Sequence, residues 1–153
     1  MRNTLFQIAL FGLFIIFTSQ IQAEEAHHPH HVAIALGGAG HGNETSGFLG
    51  LDYSYRFNNG LAVFLFAEEV SGDFEVQAFG IGLGKYFDSG WKIGAGPGVE
   101  KKLKSGKNLN LFHLSGGYDW HKGNWSYGPM ASIDFIEQNQ ETYYLGWAFG
   151  YGF

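Results

Sequence analysis

The residues best suited to catalysis in this sequence are His113 and Ser115, which stand two positions apart. On an extended strand they would share one face. Glu137 and Glu141 follow downstream. A histidine that accepts a serine proton, together with a carboxylate that orients the histidine, is the arrangement of many hydrolases. These four residues are therefore the candidates for a nucleophilic centre.

A second group with chemical potential is the set of histidines near the start: His27, His28, His30 and His31. Neutral imidazoles bind Zn, Ni and Cu. The surrounding residues 24–31 are polar and contain Pro29, which predicts a short tail without fixed ligand geometry. Weak metal binding, physiological metal capture and no metal role are alternatives that the sequence leaves open, and we expect no bound cofactor.

Charge and composition exclude several classes of protein. The net charge is −5, so a role in nucleic-acid binding has no electrostatic support. The absence of cysteine excludes disulfides and cysteine-linked lipid.

A signal peptide is predicted over residues 1–23 by Arg2, an apolar run over residues 5–17 and Ala23. The alternative is a membrane anchor, but the run is shorter than the roughly 20 residues that a spanning helix needs.

Downstream of residue 31, apolar side chains alternate with small or polar ones, as strands require. The last segment shows this best, because six bulky residues alternate with four small ones and Tyr144. The bulky set is Tyr143, Leu145, Trp147, Phe149, Tyr151 and Phe153. Similar segments occupy residues 32–39, 47–57, 61–69, 74–87, 91–100, 109–121 and 125–136. A bulky apolar face opposite a small or polar face fits a curved wall in lipid.

The pattern predicts an all-β fold, an eight-stranded antiparallel up-and-down transmembrane β-barrel over residues 32–153. Closure requires the last strand to pair with the first, since lipid leaves no partner for an open edge. We expect Pro97 to mark a bulge and the outward loops to exceed the turns in length. Segment 61–69 is apolar on both faces, so either Leu61, Val63 and Leu65 or Phe64 and Phe66 face lipid.

The alternating aromatics that end at Phe153 resemble the final strand of bacterial outer-membrane barrels. Residues 24–153 as a whole resemble small OmpA-type and OmpX-type barrels and porin-like proteins with a His-rich start. The resemblance implies outer-membrane localisation after export, a monomer, and a structural or surface-interaction role. It also implies contact with lipid and lipopolysaccharide, and recognition of the last strand by the barrel-assembly machinery.

Two groups of charged residues follow from this fold. Residues 101–108 form a predicted outward loop whose lysines could contact lipopolysaccharide phosphates; they are Lys101, Lys102, Lys104 and Lys107. The inward polar residues are Asp52, Ser54, Arg56, Lys92, Glu100, His113, Asp119 and Asp134, with Glu68 added in one register of segment 61–69. Because a small lumen is filled by side chains and unpaired buried charge is costly, we predict a paired polar plug; a proton or ion path is the alternative.

Two other functions are alternatives. His113 and Ser115 with a downstream Glu resemble the outer-membrane lipid A deacylase, also an eight-stranded barrel. Here the pair reads inward, and Gly116 stands where that family has Asn, so we expect no enzymatic activity. A soluble, ligand-binding barrel of lipocalin type would need a polar exterior, and the predicted exterior is apolar.

Overall fold

The computed structural model describes residues 28–72 and 74–153. The predicted signal peptide and the first four residues of the predicted tail lie outside this range. No helix within the described residues is long and apolar enough to cross a membrane.

The described chain forms nine strand segments joined by short connections. They are β1 (His30–His41), β2 (Glu44–Arg56), β3 (Leu61–Ser71), β4 (Val76–Tyr86), β5 (Trp91–Lys102), β6 (Asn108–Tyr118), β7 (Trp120–Lys122), β8 (Trp125–Ile136) and β9 (Gln140–Gly152). Each segment pairs antiparallel with its neighbours, in the order β6-β5-β4-β3-β2-β1-β9-β8-β7. An additional pairing of β6 with β8 closes the sheet.

Segments β6 and β7 are one barrel strand interrupted at Asp119. Both pair with β8 in a single register, since Gly117 opposes Met130 and Trp120 opposes Tyr127. The fold is therefore an eight-stranded antiparallel up-and-down barrel, which confirms the predicted fold class. The closing seam pairs β1 with β9 from His31 opposite Gly152 to Gly40 opposite Tyr143.

The first strand begins earlier than predicted, so the boundary of the tail at residue 31 is wrong. His30 belongs to β1 and exchanges two backbone hydrogen bonds with Phe153, of 3.1 and 2.9 Å. The alternation that predicted a strand from residue 32 could not include a pair of histidines. Here the backbone N–H and carbonyl groups of Phe153 pair with those of His30, and this pairing extends β1.

Pro97 on β5 and Pro129 on β8 each interrupt the hydrogen-bond ladder with a neighbouring strand without changing the register of the pairing. Gly80 opposes Gly98 and Leu83 opposes Ala95 in one register, and the two pairs between them, at Pro97, are missing. The gap at Tyr118 and Asp119 lies opposite Pro129 and Gly128 in the same way. A proline lacks the N–H donor that a ladder needs, but no residue is added to either strand. The predicted bulge at Pro97 is therefore wrong.

The two ends of the barrel have connections of similar length. One end, which we call the terminal end, carries Phe153 and the connections 57–60, 87–90 and 123–124. The other end, the rim, carries the connections 42–43, 72–75, 103–107 and 137–139. The prediction of longer loops at the rim is wrong, because polar residues such as those of 40–46 continue the strands instead of leaving them.

A three-residue turn settles the register of β3. The backbone N–H of Phe57 donates to Leu61 and that of Gly60 donates to Phe57, so residues 58–60 form the turn. Leu61 and Leu65 then face outward and are exposed, while Phe64 and Phe66 are buried in the interior. Of the two predicted registers, the one with leucines outside is observed, and it places Glu68 inside.

The two buried rings are accommodated by glycines of β4 and β5. A Cβ on Gly80 would lie 2.5 Å from Phe66, and one on Gly94 would lie 2.8 Å from Phe64. We call Gly80, Gly82, Gly84, Gly94, Gly96 and Gly98 the glycine panel. Its bare inner surface lets two phenylalanines fill a narrow lumen.

The outer surface of the barrel is apolar around its circumference. Its most exposed large side chains include Leu83 at 71% and Leu145 at 69%. Near the terminal end this surface becomes aromatic, with Tyr55, Phe57, Phe87, Trp91, Trp120, Trp125 and Tyr127 all exposed. A soluble barrel would bury such residues, whereas a transmembrane barrel presents them to hydrocarbon and to the interface.

Candidate functional site

The chemically capable residues of the barrel lie in its lumen. Strand alternation directs one residue in two inward, and on β3, β6 and β8 these inward positions carry Glu68, His113 and Asp134. All three are buried, with 6%, 3% and 0% of their surfaces exposed. We call these three residues the central cluster.

The central cluster connects opposite walls of the barrel. His113 and Asp134 oppose each other on β6 and β8, and 2.7 Å separates Nδ1 from Oδ1. The hydroxyl of Tyr144 on β9 donates to the other carboxylate oxygen at 3.3 Å. Phe66 on β3 stacks on the His113 ring with centroids 4.2 Å apart, and Glu68 lies on the same face of β3. One potential ligand atom from each cluster residue lies within 4.8 Å of the others.

Pairing in the central cluster is incomplete. His113 forms the one ion pair of Asp134 among the described residues, and it is a pair only if the imidazole is protonated. Oε2 of Glu68 has no hydrogen-bond partner there, and neither does Oγ of Ser132 on β8. Two buried carboxylates with at most one partial counter-charge are costly to leave ionised.

Closer to the terminal end, the interior polar groups have partners. Lys92 and Asp119 form an ion pair of 2.8 Å. His31 lies 2.8 Å from the hydroxyl of Ser126. The guanidinium of Arg56 lies 3.8 Å above the ring of Tyr86. These contacts satisfy part of the polar surface, although Nε and Nη2 of Arg56 and one oxygen of Asp119 lack hydrogen-bond partners in the described chain.

A small cavity separates these two groups. It measures about 60 Å³, and its lining includes Asp52, Glu68, Lys92, His113 and Ser115. Because one water needs roughly 10–15 Å³ by this measure, the cavity has room for a few waters and none for a lipid chain. The described lumen is a filled core and has no open channel.

The rim holds a wider depression of about 380 Å³. Glu100 is one of its lining residues and is 1% exposed, without a hydrogen-bond partner among the described residues. His41 closes one side through a 3.0 Å contact with the Glu141 carbonyl oxygen and a ring contact with Phe74. Lys102 lines the same depression.

The predicted nucleophilic centre does not assemble. His113 contacts Asp134, whereas Glu137 accepts a hydrogen bond from Asn110 and Glu141 accepts one from the Tyr143 hydroxyl. Ser115 faces the small internal cavity. The histidine therefore has an orienting carboxylate, but it is Asp134, and a lipid substrate has no room beside the serine.

The predicted histidine metal site does not converge where it is described. His30 faces outward, 2.7 Å from the Tyr53 hydroxyl and stacked on Phe153. His31 faces inward on Ser126. Neighbouring residues of a strand point to opposite faces, so these two imidazoles cannot share an ion, and His27 lies outside the described residues.

The four lysines predicted to lie in one outward loop are shared between a strand and the connection that follows it. Lys101 and Lys102 belong to β5, which shortens the loop to residues 103–107. Lys101 is exposed, whereas Lys102 donates to Gln140 at 2.6 Å. Lys104 and Lys107 lie in the connection itself.

Sequence reasoning missed two participants in the lumen. Alternation places Tyr144 on the small-residue face of its strand but does not predict its contact with Asp134. The polar composition of residues 24–31 predicts a tail that includes His31, whereas His31 faces the interior. The signal for both was period two, since each stands in register with the inward residues of its own strand.

Comparison with protein-family models and with curated protein sequences finds no match. Comparison with solved structures finds small bacterial barrels. The N-terminal β-barrel domain of Pseudomonas aeruginosa OprF is similar with a TM-score of 0.60 at 13% identity, over 79% of this chain and 97% of that one. Neisserial surface protein A is similar with a TM-score of 0.57 at 12% identity, over 81% and 96%. The Yersinia pestis outer membrane protein Ail gives 0.52 at 18% identity, over 80% and 99%.

These likenesses concern the fold. They agree with the closed eight-stranded wall and with the apolar exterior, which both arise from the residues of this chain. The protein has the fold of small outer-membrane β-barrels.

Proposed function

We propose that the protein is an integral outer-membrane β-barrel that acts as a membrane-embedded structural or surface-interacting element. The observation that carries this proposal is the apolar exterior of a wall without free edges. Large apolar side chains, such as Leu83 and Leu145, are exposed around the whole circumference of the barrel. Only hydrocarbon stabilises such an apolar surface. Only a closed sheet satisfies all of its backbone hydrogen bonds within hydrocarbon.

The filled lumen supports a role at the surface and argues against transport. The phenylalanines of β3 occupy the space beside the glycine panel, and the central cluster spans the lumen beside them. The remaining cavity of about 60 Å³ is too small for a solute path. The parts that can meet a partner are the rim and the apolar wall.

The orientation that we propose places both ends of the described chain on the periplasmic side. In this proposal the terminal end faces the periplasm and the rim faces outward. The exposed Lys101 would then meet lipopolysaccharide phosphates above the apolar wall, whereas Lys102 is engaged with Gln140. The monomer would be assembled by the barrel-assembly machinery, which would recognise β9 and its final Phe153.

Single cysteines test the location and the orientation together, because the natural chain has none. Intact cells expressing Asn43→Cys, Asn59→Cys or Leu83→Cys are treated with a membrane-impermeant maleimide. We expect labelling of Cys at 43 in the rim, none at 59 before lysis, and none at 83 until detergent is added. Labelling at 83 in a detergent-free soluble fraction would indicate a soluble barrel and overturn the proposal.

The lysine contact has its own test. Lys101→Gln should reduce co-purifying lipopolysaccharide, and Lys102→Gln is the matched control because its amine is already engaged inside the rim. Equal lipopolysaccharide content in both variants and the parent protein would remove this contact from the proposal.

A further inference from the structure

We propose that the central cluster, Glu68, His113 and Asp134, is a binding site for one divalent transition-metal ion of the zinc type. The ion would connect β3 with β6 and β8 across the lumen. This site is separate from the histidines near the chain start, and it does not depend on what the rim contacts.

The donor set is chemically suited to such an ion. Zinc is held by imidazole nitrogen and carboxylate oxygen, most often with four ligands. The cluster supplies one nitrogen and two carboxylates, with a potential ligand atom from each residue within 4.8 Å of the others. A tetrahedral ion with bonds of about 2.1 Å would set ligand atoms about 3.4 Å apart. Coordination would require side-chain rotations that bring the three ligand atoms from within 4.8 Å of one another to that spacing.

The electrostatics of the cluster call for a cation. The charged groups that act most on Glu68 are Asp134 and Asp52, and both are acidic. Lys92, which lines the same cavity as Glu68 and His113, is already paired with Asp119. Oε2 of Glu68 is unpartnered among the described residues although the side chain is 6% exposed. A divalent ion would neutralise both carboxylates and occupy that free oxygen.

The surroundings can complete the coordination. The Tyr144 hydroxyl already lies on the far oxygen of Asp134 and holds that carboxylate in place, as groups behind metal ligands do. The cavity of about 60 Å³ touches both Glu68 and His113 and has room for a water as fourth ligand. On binding, the proton shared by His113 and Asp134 would leave and the neutral imidazole would coordinate.

Zinc content after refolding tests the site. The chain carrying His27→Asn and His28→Asn is refolded from urea into detergent with zinc chloride and then desalted, because a buried site fills most readily before closure. We expect roughly one tightly held zinc per barrel in this background. Glu68→Gln should lower the zinc content roughly tenfold or more. Glu69→Gln is the matched control, since its carboxylate faces away on the same strand and accepts from Gln77.

A second measurement distinguishes a metal ion coordinated by the central cluster from a proton shared by its carboxylates. Zinc should raise the temperature at which the compact, heat-modifiable form is lost in the background and in Glu69→Gln, but not in Glu68→Gln. Gel mobility confirms that each variant is folded before its zinc is measured. Absence of zinc from the background, or equal zinc in the Glu68 and Glu69 variants, would overturn the proposal and leave a proton between the carboxylates.

Discussion

Replacing Gly94 by alanine would place a methyl group 2.8 Å from Cε1 of Phe64 and 3.2 Å from Oγ of Ser115. Phe64 is buried, so its ring has little space into which it can move. Overpacking of this kind costs about 1–3 kcal/mol. The lower entropy of the unfolded alanine chain offsets about 0.4–1 kcal/mol of that. We therefore expect a net loss between about 0 and 2.6 kcal/mol in the free energy of unfolding.

The cause of the loss can be identified by rescue. In the Phe64→Leu background the ring is absent, so the added methyl group should cost less, with a coupling of about 0.5–3 kcal/mol between the two substitutions. Gly96→Ala is the contrasting variant, because its methyl group would meet the backbone carbonyl of Ile81. Phe64→Leu should not reduce the loss of stability caused by Gly96→Ala. Gly38→Ala, which meets nothing within 4 Å, controls for the substitution itself.

Urea unfolding and refolding in detergent, followed by tryptophan fluorescence and gel mobility, measures these free energies. Additive effects of the Gly94 and Phe64 substitutions would refute the idea that Gly94 makes room for the ring of Phe64. Equal rescue of the Gly94 and Gly96 variants would also refute it, since relief would then come from general loosening of the lumen.

Three further predictions concern other parts of the barrel. Ile81→Arg on the apolar wall should cost about 2–4 kcal/mol if it lies at mid-depth in lipid, whereas Glu44→Arg at the rim should change little; folding into lipid vesicles measures both. Lys92→Met should destabilise the fold because Asp119 is left as a buried unpaired charge, and adding Asp119→Asn should restore much of the loss in the same urea assay. Removal of Phe153 should lower the amount of folded barrel in the outer-membrane fraction without preventing refolding in detergent; unchanged cellular assembly would contradict its proposed recognition.

Much of the fold could be predicted because period two is a local property. On β9 the size of a residue indicates its face at every position except Tyr144, which is bulky and buried, and size is a similar guide on most strands. β3 was ambiguous because Leu61 and Phe64 are equally apolar. Its register depends on the hydrogen bonds of residues 57–61, which composition does not encode.

The prolines illustrate a second limit. Pro97 lacks the backbone N–H donor, and a strand can accommodate this either with an extra residue, which forms a bulge, or with an unpaired position in the ladder. The pairing of β5 on its other side stays intact, with Pro97 opposite Phe112, and this holds the register across the gap. The outcome is set by the neighbouring strand, so the sequence around the proline does not reveal it.

The candidate site was less predictable than the fold. The inward position of His113 and Asp134 followed from alternation, but their contact depends on the register between β6 and β8. Glu68 reaches them from a strand that is distant along the wall, across a lumen whose width is set by the glycine panel. No local pattern relates these three positions.

The seam between β1 and β9 has a consequence for how the protein is made. β1 and β9 are the first and last strands of the described chain, so the edge of β1 that does not pair with β2 has no partner until β9 has been exported. The ordering of such distant segments is slow, and every shorter intermediate has two open edges. We therefore expect barrel closure to be the last event of biogenesis and truncated chains to persist as substrates for periplasmic chaperones and proteases.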